Sequence, residues 1–265
     1  MTSYSPPATA TAAGIADAPH RSHRILAVSR LQLSNRMSVF GVPWMILGFI
    51  FLVNLVIWWI IYQSVADPAD RTDALEGLQY SGASFYFFVY MLVLGVLSMA
   101  QYFPLALGLS ATRREFWFGT SLVFVLLSVL YGVGFTVLAT IERATEGWGF
   151  GGRMFTVVYF GGWDAPWYTR LLLFTSAFLF FFFVGAAIAT IYQRWRVNGM
   201  LAFFATLGVV LVGAAVLITL GSGWPAVGAW FASTGAAGVV AWGLIPTAVA
   251  AVVGYLVLRR ATPRG

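Results

Sequence analysis

Residues 171–220 read LLLFTSAFLFFFFVGAAIATIYQRWRVNGMLAFFATLGVVLVGAAVLITL. Neither 171–192 nor 200–220 carries a charged side chain, and the break between them, QRWRVNG, holds Arg194 and Arg196. A helix rises about 1.5 Å per residue and the hydrocarbon core of a bilayer is about 30 Å thick, so about 20 apolar residues are needed to cross it. Both runs meet that length. The stretch therefore predicts two crossings joined by a short polar turn.

Outward from it, four more runs pass the same test: 44–62, 84–103, 116–141 and 239–258. The whole chain agrees, with 60% hydrophobic and 9% charged residues against about 25% charged in a soluble domain. Its mean hydropathy is +0.85. The reading is an all-α integral membrane protein with six transmembrane helices.

All fifteen basic residues are arginines, and they divide unevenly among the breaks. Arg21, Arg24, Arg30 and Arg36 precede the first run; Arg113 and Arg114 follow the second, Arg194 and Arg196 the fourth, and Arg259, Arg260 and Arg264 end the chain. The alternate breaks hold only Arg71, Arg143, Arg153 and Arg170, beside seven acids. Positive loops stay cytoplasmic while acids carry little weight. Both termini are thus expected inside.

Residues 1–23, rich in Ala, Thr, Ser and Pro, read as a disordered cytoplasmic tail without a signal-peptide pattern. In 24–42, Ser29, Gln32 and Arg36 share one stripe at helical spacing while Leu26, Leu33 and Met37 lie off it. This predicts an amphipathic helix on the membrane surface, with Pro43 turning the chain inward. Residues 43–260 form the six-span domain and 261–265 a cytoplasmic tail.

Several function classes are excluded. No ionisable Asp, Glu, Lys, Arg or His lies within the six runs, which disfavours an ion-coupled carrier built on a midplane charge. No lysine occurs at all, so a phosphate-binding loop ending in Lys-Ser/Thr cannot form. Cysteine is absent and the two histidines, His20 and His23, sit in the polar tail, leaving no thiol nucleophile or metal set. No catalytic residue and no metal site is expected, nor a nucleic-acid partner.

The break after the second run, FPLALGLSATRREFWFGT, is more organised than its length requires. Thr112 and Glu115 have the spacing of a capping box, which starts a helix by satisfying two orphan N–H groups. Arg113 and Arg114 then occupy the first turn, where the helix dipole disfavours them, and Phe116, Trp117 and Phe118 follow.

With Asn54–Trp58 of the first run in the form N-x-x-I-W, the arginine-bearing loop LGLSATRREFWFGT and the six-run layout, the chain resembles the membrane subunit of bacterial ABC exporters of the second type, the ABC-2-type permeases. The resemblance implies a permease of the bacterial cytoplasmic membrane, exporting a hydrophobic or amphipathic substrate by alternating access. Its partners would be a nucleotide-binding ATPase subunit, carrying ATP and magnesium that this chain does not bind, and a second permease copy or homologue. The coupling contact carries over to Leu109, Ser110, Thr112, Arg113, Arg114, Glu115 and Phe116, with the arginines and Glu115 as its polar face. It also implies short re-entrant helices in 221–238. The rival reading is a non-transporting membrane scaffold or assembly protein.

Residues 142–169, with their glycines and aromatic residues, are expected to lie on the outer rim as an interfacial anchor. Hydroxyls in membrane helices bond their own backbone; only Asn54 and Gln101 are expected to need partners elsewhere, and both are candidates to line a translocation path. Gly185 with Ala189, Ala202 with Thr206 and Ala250 with Gly254 are small pairs suited to close helix contact or a subunit seam. The phenylalanines of 171–183 are expected to face lipid.

Overall fold

The computed structural model describes residues 21–65, 82 and 84–260. The expected tail 1–23, most of the first outer connection and 261–265 lie outside these, apart from the backbone of 21–23. Among the described residues the chain is helical, with no strand. Helix α1 spans Arg21–Leu33, a π-helical turn Met37–Gly41 leads into α2, Val42–Ser64, and α3 covers Phe85–Leu97. A second π turn, Ser98–Tyr102, continues into α4, Phe103–Gly108; α5 spans Arg113–Ala144, α6 Trp167–Leu220 and α7 Trp224–Arg260. Five continuous helical segments are long and apolar enough to cross a membrane: Met37–Ser64, Phe85–Gly108, Arg113–Ala144, Trp167–Leu220 and Gly238–Arg260.

The fourth of these contains both 171–192 and 200–220. At 54 residues it is about 80 Å long if straight, far more than one crossing requires. It is not straight: Arg196 leaves the helical region at φ 58°, ψ −145°, where a side chain is strained. A three-residue turn then connects α6 to α7, with Ser222 at φ 49° and Gly223 N–H donating to the Ile218 carbonyl at 2.7 Å. Helix α7 breaks at Gly235, φ 63°, ψ 177°. Trp230 and Trp242 would stand about 18 Å apart along an unbroken helix, yet their ring centroids are 5.7 Å apart. The chain bends sharply back at Gly235, so 224–234 is a short helix laid against the start of the last long one.

The core is aromatic. Phe174, Phe178 and Phe182, four residues apart on α6, are buried and meet Phe87 and Phe88 of α3 and Phe124, Tyr131 and Phe135 of α5. This corrects the expectation that this cluster faces lipid: a four-residue repeat puts one stripe of rings inward, where edge-to-face contacts add to dispersion. Only the rings off that stripe are left for the periphery. Close backbone approach sets the helix spacing. A Cβ on Gly95 would collide with the Phe182 carbonyl, and one on Gly185 with the Leu92 carbonyl. Gly254 is used similarly against Trp117, whereas Ala202 and Thr206 are exposed.

Helix α1 ends at Leu33, nine residues short of the expected boundary, because Asn35 accepts from Ser38 N–H at 3.1 Å and starts the next helix. The chain therefore turns at Ser34 and Asn35, and Pro43 sits in the first turn of α2. Two of the three stripe residues also point the other way, while Arg36, beyond the end of α1, is exposed. Ser29 donates to the Gly119 carbonyl at 3.0 Å and Gln32 to the Thr120 hydroxyl at 2.5 Å, both buried against α5, while Leu26 is exposed. Small polar groups bond another helix here because their apolar surroundings offer them no other partner.

Candidate functional site

Three constructions stand out, two at the end of the bundle where Arg113 lies and one at the opposite end. The first is the loop 109–112. The capping box is present: Glu115 N–H donates to Thr112 Oγ1 at 3.2 Å and Thr112 N–H to Glu115 Oε2 at 2.9 Å. Helix α4 closes with Ala111 N–H donating to the Ala106 carbonyl, and Ser110 takes the left-handed conformation at φ 63°. Arg113 Nη1 donates to the Arg259 carbonyl at 2.7 Å. That bond and the Ser29 to Gly119 contact bring the first and last described helices to the same end of α5.

The residues named from sequence separate here. Leu109, Ser110, Thr112 and Arg114 are exposed, Leu109 at 67%, and the Arg114 guanidinium lies 5.6 Å from the Phe118 ring centroid. Glu115 and Phe116 point inward instead. Glu115 is spent on the cap and buried, and Phe116 is wholly buried with its ring 5.3 Å from Phe103. The accessible face of the loop is thus Leu109, Ser110, Thr112 and Arg114.

The second construction is a cleft of about 60 Å³ lined by Gln32, Asn35, Ser38, Ser98 and Gln101 among apolar neighbours. The π turns Met37–Gly41 and Ser98–Tyr102 border it, and a π turn is a frequent mark of function. The first has a traceable cause. Pro43 has no N–H for the Val39 carbonyl four residues back, and Val42 N–H reaches back to Met37. The two freed carbonyls are taken by phenols, Tyr131 donating to Val39 and Tyr90 to Ser38 at 2.9 Å, and Tyr86 donates beside them to the Pro43 carbonyl at 2.6 Å. Gln101 belongs to this cleft. Asn54 does not: its Nδ2 donates to the Ile50 carbonyl of its own helix at 2.8 Å, which corrects the expectation that it needs a distant partner.

The third lies at the far end of α5. Glu142 is fully buried and its carboxylate accepts from Trp148 Nε1 at 2.9 Å, Met154 N–H at 3.0 Å, Phe155 N–H at 3.1 Å, Thr156 N–H at 2.8 Å and Thr156 Oγ1 at 2.6 Å. Arg170 complements it, donating to the carbonyls of Ala165, Gly162 and Trp163 at 3.1, 2.7 and 2.8 Å. One buried acid collects the N–H groups of the connection and one buried base collects its carbonyls. Residues 154–157 are consequently buried, with Phe155 against Phe135 and Phe51, and Gly152 pressed on Trp58. The connection is a cap on the aromatic core and not only a rim, because its backbone polar groups are satisfied internally. Sequence reasoning missed this pair; the signal was an acid at the end of a long helix facing a glycine-rich segment with few other acceptors.

Comparison with protein-family models, curated proteins and solved structures finds no match to this chain.

Proposed function

We propose that this chain is the membrane-spanning permease subunit of an ATP-driven ABC exporter, worked by a separate ATPase that pulls on the loop 109–112. The observation that carries the reading is the attachment of that loop. Its exposed face is joined without a flexible linker to α5, a 32-residue helix, through a closed capping box and a buried Phe116. Force applied there moves α5 as a body, and the Arg113 bond carries it to the end of α7.

The six-crossing layout belongs to the same proposal. The first and last described helices share one end of α5, which supports an even number of crossings. The break at Arg196 then divides α6 into two, and the hairpin at Gly235 is a re-entrant element. The arginine-rich end faces the cytoplasm of a bacterial cell. Substrate is hydrophobic or amphipathic, since the apolar runs 44–62, 84–103, 116–141, 171–192, 200–220 and 239–258 hold only uncharged polar groups. Exposed Ala202 and Thr206 are the small pair left for a second copy.

The test is co-purification with a stand-alone nucleotide-binding ATPase subunit from the same cell. Arg114→Glu together with Leu109→Asp, both exposed, should abolish the complex and ATP-driven transport while leaving the chain folded. Solute accumulation by this chain alone, driven by a proton or sodium gradient, would overturn the proposal; unaltered assembly of the double variant would do the same.

A further inference from the structure

Between α1 and the end of α4 lies an open groove of about 570 Å³. Its floor is apolar, formed by Val28, Leu31 and Ala106, with Leu109 at its edge, and its charged walls are Arg24 and Arg30. No acid lines it. On α1, Arg24, Val28 and Leu31 fall on one face at helical spacing, with Arg30 to its side and about 9 Å further along the axis. Two cations are therefore held over an apolar trough with no carboxylate in it to neutralise them.

We propose that this groove binds an anionic phospholipid, its phosphate between Arg24 and Arg30 and its acyl chains running out over the leucine rim. The apolar rim on the α4 side suits acyl chains. Leu105, next to the groove-lining Ala106, is 49% exposed, and it belongs to a segment long and apolar enough to cross the membrane, Phe85–Gly108. The groove thus opens along the side of a span, with its cations at the end where a headgroup lies. Guanidinium suits the ligand, since its planar fork pairs two phosphate oxygens at once. The volume suits it as well. It falls within the roughly 300–1,000 Å³ of small-molecule sites, enough for a headgroup and glycerol but not for two full acyl chains. A lipid in this position bridges α1 to the segment that precedes Thr112. The inference requires the membrane setting but not transport, so it stands or falls separately from the exporter reading.

The full chain, reconstituted in phosphatidylcholine vesicles doped with phosphatidylglycerol and extracted in mild detergent, should retain one phosphatidylglycerol per chain in native mass spectrometry. Arg24→Gln with Arg30→Gln should lower that retention at least about tenfold, given roughly fivefold per basic residue facing an anionic lipid. Arg260→Gln, an exposed arginine outside the groove, should leave it unchanged. Ala27→Trp fills the groove while keeping every charge, and it too should expel the lipid. Equal retention in both groove variants, equal retention of phosphatidylcholine, or displacement by millimolar inorganic phosphate would each overturn the proposal, the last by showing a plain anion site.

Discussion

Replacement of Glu142 by alanine tests most directly how the far end of the bundle is built. The carboxylate is the acceptor for three buried backbone N–H groups, those of Met154, Phe155 and Thr156, and for the Trp148 indole and the Thr156 hydroxyl. A buried donor left without an acceptor costs about 1–3 kcal/mol. Water entering the vacated space would recover part of that, so the expected net loss is about 4 kcal/mol, near the upper end for a single substitution. The loss is local, because the segment can open without unfolding the helices beneath it. Hydrogen exchange read by mass spectrometry should therefore show protection at 154–156 falling about a thousandfold, at about 1.4 kcal/mol per factor of ten, while the middle of α5 stays protected. Glu142→Gln keeps one oxygen but turns an NH2 toward N–H donors, and should lose about half as much free energy. Protection within tenfold of the parent in Glu142→Ala would refute the idea that this carboxylate organises the connection.

Two further outcomes follow from the packing. Gly185→Leu drives a side chain into the Leu92 backbone; overpacking of this kind costs about 1–3 kcal/mol and should lower the thermal midpoint by several degrees, whereas Gly208→Leu, where a Cβ meets nothing within 4 Å, should not. An unchanged midpoint in the first variant would contradict the close α3 to α6 approach. Tyr131→Phe strands the Val39 carbonyl at about 1–3 kcal/mol, and Pro43→Ala supplies an N–H that can replace the phenol. In a double-mutant cycle the pair should therefore lose less than the sum of the single changes, and strict additivity would show that the phenol does not substitute for the missing N–H.

The parts of the site legible in sequence were those whose chemistry is local. The capping box at Thr112 and Glu115 needs only four consecutive residues, and its geometry follows wherever that helix begins. The glycines of 142–169 announced backbone that no helix holds, as the positive φ values at Gly147, Gly149, Gly151, Gly161 and Gly162 bear out. What was not legible was direction. Ser29 and Gln32 formed a visible stripe, but a stripe has no sign until its partner is known, and Gly119 and Thr120 lie some ninety residues away. The same holds for Glu115, whose backbone role was readable while its burial was not.

Length, hydropathy and arginine placement are one-dimensional quantities. By themselves they established an all-helical chain, where its apolar runs lie, which breaks are positively charged and where a helix starts. They could not separate rings that face the core from rings that face lipid, since hydrocarbon surrounds both and transfer between them changes little free energy. Tertiary structure decided that through shape and through polar groups that must be satisfied away from water. The Phe174, Phe178 and Phe182 stripe turned inward because it interlocks with α3 and α5, and Glu142 and Arg170 became buried because the folded connection supplied their donors and acceptors.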